Sequence, residues 1–235
     1  MRMRRKKNGA ARLSACAAFL ADRGPSAAGA SPVFLEIGAG KGGFACEMAR
    51  RHPEAAYYAM ERVADCVVLA AEKARKQSEE GADLGNLRFL IDTADHLPSL
   101  FAPASVDRIF LNFSDPWPKK GYAKRRLTHR RYLSTYFSLL RDGGALCLKT
   151  DNTGLFDFTL EEIDAMGLSP AFVTRDLHDS PSAAENVMTE YEKNFTEQGM
   201  KICMLEVRKP IGYVPPVPSP DGRERAPEDR SDAAE

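Results

Sequence analysis

Asp115 heads a stiff, basic loop, Asp115-Pro116-Trp117-Pro118-Lys119-Lys120. Each proline fixes its own φ and pushes the residue before it toward extended backbone. A carboxylate and the only tryptophan of the chain are thereby held beside positive charge. The segment before them, Val106-Asp107-Arg108-Ile109-Phe110, reads as a strand. Ligands of open α/β sheets bind outside the carboxyl ends of strands. This stretch is therefore expected to be a reaction site facing an anionic substrate.

A second constellation is Glu36-Ile37-Gly38-Ala39-Gly40-Lys41-Gly42-Gly43, placed where a strand turns into a helix. Gly38 and Gly40 permit a tight turn and close approach of a ligand to the backbone. The spacing Gly38, Gly40, Gly43 satisfies GxGxxG, a weak signal shared by dinucleotide enzymes and many others. Glu36 argues against a dinucleotide, because its charge would repel a pyrophosphate. It would attract a cation. S-adenosylmethionine has a nucleoside, a sulfonium, an ammonium and no phosphate, and so fits. Glu61, at the end of the second expected strand, is placed to accept from both ribose hydroxyls of either cofactor. Taken singly, Glu36 reads equally as a solvated strand end and Glu61 as a helix N-terminal acid. Asp92-Thr93-Ala94-Asp95 follows the third expected strand. A polar side chain there can reach an adenine amino group, and Asp92 and Asp95 can equally serve as turn or cap residues.

The elements that must position these groups alternate. Strands are expected at Val33–Ile37, 55–60, 87–91, 108–112, 145–149, 171–174 and 201–207. Helices are expected at 10–23, 44–51, 63–76, 132–140, 155–166 and 186–197. Such alternation implies βαβ units around a mainly parallel sheet, an α/β fold. Residues 1–9 are expected to form a flexible basic arm, 10–209 one domain, and the polar, Pro-rich 210–235 a disordered tail.

The chain has 235 residues and a formal net charge of zero, from 33 Lys and Arg against 33 Asp and Glu. The balance hides local patches, and patches rather than totals set contact with a polyanion. Arg2, Arg4, Arg5, Lys6 and Lys7 crowd the start, and seven more Lys or Arg fall in residues 119–131. That second run can be an RNA contact or a solvated helix face; its place directly after the Asp115 loop favours RNA. Five scattered cysteines (Cys16, Cys46, Cys66, Cys147, Cys203) show no metal-ligand spacing. They read as reduced thiols in a cytoplasmic protein, and no metal is expected. No apolar run reaches membrane-spanning length. Residues 10–20 are interrupted by Arg12 and Ser14, so they read as an amphipathic helix and not a signal peptide.

With these residues together, the chain resembles the bacterial tRNA (guanine-N7-)-methyltransferase family of the TrmB type, from its basic start to about residue 208. The motifs carrying the resemblance are Glu36 to Gly40, Leu111 to Lys120, Lys124-Arg125-Arg126-Leu127-Thr128, Lys149-Thr150-Asp151-Asn152 and Met188-Thr189-Glu190-Tyr191-Glu192. The resemblance implies a Rossmann-like class I S-adenosylmethionine-dependent methyltransferase fold. It implies methylation of guanine N7 at position 46, in the variable loop of tRNA, by a cytoplasmic monomer or homodimer. It implies Glu36, Gly38, Gly40, Glu61 and Asp92 or Thr93 as cofactor ligands. Asp115 becomes the catalytic aspartate, also near the cofactor. Lys119, Asp151 and Thr189, Glu190, Tyr191 and Glu192 become substrate contacts. Gly121, Tyr122, Ala123, Lys124, Arg125 and Arg126 become RNA contacts.

The chemistry is compatible with that implication. Guanine N7 bears a lone pair and no proton, so methyl transfer to it needs in-line positioning and no obligatory base. Asp115 can stabilise the cation that forms, or accept from guanine N1–H and N2–H. Trp117 can stack on a base or plug the underside of the loop; Lys119 can hold a phosphate or guanine O6. A methyltransferase for another substrate, an NAD-dependent oxidoreductase and an RNA-binding protein with a vestigial cofactor fold are the rival readings. Glu36 and the lack of a hydride-site acid or base count against the oxidoreductase.

Overall fold

The computed structural model describes residues 7–27 and 29–216. Arg2, Arg4, Arg5 and Lys6 of the expected arm, and residues 217–235 of the expected tail, lie outside them. Seven strands form one sheet: β1 Val33–Ile37, β2 Ala56–Met60, β3 Leu87–Leu90, β4 Val106–Asn112, β5 Leu140–Thr150, β6 Phe172–Thr174 and β7 Cys203–Arg208. Their order is β3-β2-β1-β4-β5-β7-β6. Neighbours from β3 through to β5 are parallel, while β7 runs antiparallel to both β5 and β6. From β1 the chain builds outward through β2 to β3, then restarts at β4 on the other side of β1. The crevice at such a reversal is where open α/β sheets bind ligands.

Seven α-helices are described: α1 Gly9–Ser14, α2 Gly43–Arg51, α3 Ala64–Glu79, α4 Leu97–Leu100, α5 Arg130–Leu139, α6 Thr153–Ala165 and α7 Glu190–Thr196. All five residues of β1 are buried, as expected of a central parallel strand covered on both faces. Alternation along it divides two cores. Val33, Leu35 and Ile37 face a layer with Tyr136 and Phe137 of α5 and Phe156 and Ile163 of α6. Phe34 faces a layer with Phe44 of α2, Val67 and Ala70 of α3, Tyr57 and Phe110. Glu36 shares the parity of Phe34, so a carboxylate is carried into the α2–α3 side.

Several expectations shift. The first helix, expected over 10–23, is α1 followed by a 3-10 turn at Ala17–Phe19. It stops because Leu20 forms a parallel bridge with Phe89 and Ala21 N–H donates to Phe89 O at 3.0 Å. The segment thus covers the open edge of β3, a common answer to an unpaired strand. β5 begins at Leu140, five residues earlier than expected, because Leu140 pairs with Val106 across a register shift. The helix expected from 186 begins at Glu190, where Thr189 caps it. α4 was not anticipated. The tail does not leave the fold at 210: Tyr213 stacks edge-on to Phe137 at 5.9 Å and donates its hydroxyl to Met166 O at 2.8 Å. No described helix is long and apolar enough to cross a membrane.

Candidate active site

The carboxyl ends of the first five strands meet along one edge of the sheet. A cleft of ≈ 560 Å³ opens there. Gly38, Glu61, Asp92, Thr93 and Asp115, five of the seven residues expected to hold the cofactor, line it. Glu36 and Gly40 do not. Glu36 is 2% exposed and sits behind the wall: Asn112, which lines the cleft, donates Nδ2 to Glu36 Oε1 at 3.1 Å. Burial pushes the Glu36 carboxyl up to about 7, against the opposing pull of Asn112 and Lys149. Its Oε2 and the Tyr57 hydroxyl are buried together, and neither reaches a third group.

Glu61 ties the glycine loop to the end of β2. Its Oε2 accepts from Gly40 N–H at 3.0 Å and its Oε1 from Val63 N–H at 2.9 Å. Each oxygen keeps a further lone pair for another donor. Gly38 and Gly40 have φ of 86° and 55°, and a Cβ on either would meet nothing within 4 Å. The turn needs glycine for conformation and leaves open space above it. Asp92 Oδ1 accepts from Thr93 N–H at 2.7 Å and lies 2.6 Å from His96 Nδ1, so that oxygen holds its own loop. The loop is also pinned to α5, because Tyr132 OH and Arg131 both donate to Asp95 Oδ1. The open glycines and the Glu61 carboxylate suit a nucleoside cofactor such as S-adenosylmethionine.

Across the cleft, the chain after β4 is held in uncommon backbone. Phe113 and Trp117 have φ of 52° and 41°, left-handed values that non-glycine residues keep only where the surroundings enforce them. Phe113 N–H donates to Lys149 O at 2.8 Å. Arg126 reaches back across the loop, Nε to Pro116 O at 3.0 Å and NH2 to Trp117 O at 3.1 Å. Asp115 is thereby presented with its side chain 70% exposed, 3.9 Å from the Arg62 guanidinium. Trp117 lines the cleft rather than lying beneath the loop.

The basic run divides by role. Lys119, Lys120, Gly121, Tyr122, Lys124 and Arg125 are exposed, most of them on a 3-10 turn at Lys120–Arg125, with Ala123 half-buried among them. Lys119, Lys120 and Lys124 make no ion pair among the described residues. The Arg125 guanidinium stands 5.1 Å from the Trp117 ring and 4.7 Å from the Tyr122 ring, a cation–π clamp. Arg126 is half-buried and spends its donors on the loop backbone. Arg130 pairs with the buried Glu162 of α6.

The expected substrate segment divides too. Thr189 and Glu192 form a capping box: Glu192 N–H donates to Thr189 Oγ1 at 2.9 Å and Thr189 N–H to Glu192 Oε2 at 3.3 Å. Glu192 is fully buried, paired with Lys149 at 2.7 Å. Glu190 and Tyr191 are exposed. Tyr191 lies against Phe113, ring centroids 4.9 Å apart, and burial together with Asp151 raises its phenol. Asp151 is thus brought to Phe113 and the Asp115 loop through Tyr191. Sequence reasoning gave no role of their own to Asn112 and Lys149, which it named only within motifs, or to Arg131, which it counted only in the basic run of 119–131; it passed over Arg62. A polar residue ending an apolar run marked Asn112 and Lys149; nothing local marked Arg62. Among the described residues, no group of three or more His, Cys, Asp or Glu is arranged to hold a metal.

A family model described as "Putative methyltransferase" matches residues 30–205. The tRNA (guanine-N(7)-)-methyltransferase of Brevibacillus brevis is 43% identical over 176 residues, 75% of this chain and 80% of that protein. The enzyme of the same name from Bacillus subtilis is 39% identical over 177 residues, 75% and 80% of the two chains. Among solved structures, the 16S rRNA methyltransferase KamB superposes with a TM-score of 0.55 at 15% identity, covering 89% of this chain and 97% of that one. An antibiotic-related methyltransferase superposes with a TM-score of 0.54 at 18% identity, covering 87% and 95%. At such identity the structures speak for the class I methyltransferase fold alone.

Proposed function

The chain belongs to the tRNA (guanine-N(7)-)-methyltransferase family, and from that premise we propose that it methylates N7 of guanine 46 in the variable loop of tRNA. The observation that carries the reading is the cleft itself. Carboxylates that suit a cationic nucleoside stand on one side of it, and an exposed Asp115 on a braced, basic loop stands on the other. S-adenosylmethionine, when bound, supplies a methyl group activated on a sulfonium.

The residues of the chain then have separable tasks. Glu61 accepts from the ribose hydroxyls while holding the glycine loop. Glu36 holds Asn112 of the cleft wall through its Oε1. Asp92 or Thr93 borders the adenine. Asp115 accepts from guanine N1–H and N2–H, which rejects adenine, and faces the positive charge that appears on the methylated base. Trp117 offers a ring for base stacking, worth about 1–3 kcal/mol per base. Lys119, Lys120, Lys124 and Arg125 meet phosphates. No residue need remove a proton from N7, so catalysis rests on positioning, where effective molarity contributes roughly 7–11 kcal/mol.

We read residues 10–209 as one catalytic domain acting in the cytoplasm, as a monomer or homodimer. The deciding experiment is incubation with unmodified tRNA and labelled cofactor, followed by mapping of the modified nucleotide. Label at guanine 46, lost when that base is replaced by adenine, supports the reading. Label at another nucleotide overturns the position, and no transfer to any tRNA overturns the function.

A further inference from the structure

Lys149, next to last in β5, is 4% exposed. Its ammonium has three hydrogens and three partners: Glu192 Oε2 at 2.7 Å, Val187 O at 2.8 Å and Asn186 Oδ1 at 3.0 Å. All three lie within residues 186–192, which cross the carboxyl edge of the sheet as a strap. Glu192 is enclosed in turn. Asn186 Nδ2 donates to its Oε1 at 2.6 Å, and His178 Nε2 lies 3.3 Å from the same oxygen.

A buried ion pair is weak evidence for stability, because well-packed apolar residues often serve as well. What three directional bonds supply is a single position for the strap. That position matters because the strap meets both loops of the site. Tyr191 packs on Phe113, two residues before Asp115. Glu190 pairs with Lys73 of α3 and lies over Gly43, where a Cβ would meet its Oε1 at 3.1 Å. Lys149 also holds the other ring of the contact, since its carbonyl accepts from Phe113 N–H at 2.8 Å. One residue therefore fixes both partners: Phe113 through its backbone, and Tyr191 through the ammonium and Glu192.

We propose that Lys149 and Glu192 are positioning residues that set the 186–192 strap over the active site. Thr189 and Glu192 face inward and touch no substrate; Glu190 and Tyr191 are the members that do. The substrate clause rests on the function proposed above, while the positioning clause stands without it.

The test uses the full chain and two independent readouts. Lys149→Met removes the ammonium and strands Glu192, so amide exchange across Glu190–Thr196 rises about 100-fold while the β1 and β4 amides hold. Glu192→Gln gives a smaller rise in the same amides, and tRNA KM climbs with it. The double variant Lys149→Met, Glu192→Leu leaves no stranded charge. It recovers thermal stability yet keeps a kcat/KM lowered by about 100-fold, the cost of misplacing a reacting group. Lys149→Arg recovers part of both readouts. A raised KM in Glu192→Gln with unchanged exchange would mean direct substrate contact and overturn the proposal. So would a double variant with wild-type kinetics. If the wild-type chain transfers no methyl to tRNA, the exchange measurements still decide the positioning clause.

Discussion

Arg126 grips Trp117 by its backbone: the guanidinium NH2 donates to Trp117 O at 3.1 Å while Nε donates to Pro116 O at 3.0 Å. An arginine from the basic run is thereby built into the loop that presents Asp115. Its neighbours Lys124 and Arg125 remain exposed.

Arg126 and Lys124 are accordingly predicted to fail differently. Lys124→Ala should weaken tRNA binding and reduce its salt slope by about one unit, with the single-turnover rate retained. Arg126→Ala should lower the single-turnover rate more than it lowers tRNA affinity, and Arg126→Lys should not restore it, because lysine lacks the planar fork. Equal salt-slope losses in the two variants would return Arg126 to the phosphate-contact set.

Glu61→Ala removes the tether on Gly40 N–H and Val63 N–H together with the ribose acceptor. Leaving such donors unpaired costs about 1–3 kcal/mol, so S-adenosylmethionine affinity should fall about 5- to 150-fold in calorimetry. The wild-type chain should bind S-adenosylmethionine and give no heat with NAD. Binding of NAD without a response to S-adenosylmethionine would reverse the cofactor assignment.

Glu36 gives a pH prediction. Burial raises its carboxyl from 4.5 to about 7, so between those values the native state holds a proton that the unfolded chain has released. Stability from this group therefore falls as pH rises from 4.5 to about 7, and is level outside that window. Glu36→Gln should lack the slope. The stability difference between variant and wild type should shift by about 3 kcal/mol between pH 5 and pH 8, read from urea unfolding. A pH-independent difference would contradict the burial argument.

Asp115→Ala should cut single-turnover methylation far more than tRNA affinity, because most of the exposed basic residues lie beyond it. Asp115→Asn keeps the shape but loses charge and turns a donor toward guanine N1–H and N2–H, so it too should be badly impaired. The pH–rate profile should show no essential base near neutrality, since N7 carries no proton. Wild-type transfer by Asp115→Ala would leave the residue no part in the chemistry.

By itself, the sequence determined the alternation of strands and helices, and with it the placing of Gly38, Glu61, Asp92, Thr93 and Asp115 at strand ends. Those signals are local: hydrophobic runs, glycines at a turn, prolines that stiffen a loop. Only the tertiary structure decided which charged groups face outward. Arg126 turns inward because two loop carbonyls stand within its reach, and Glu192 because Lys149, 43 residues away in sequence, needs a buried counter-charge. Glu36 sits behind the cleft wall because strand parity puts it on the α2–α3 face, beneath Asn112 of a strand that sequence order alone does not make its neighbour. Partners of that kind are set by strand order and helix packing, which no window along the chain contains.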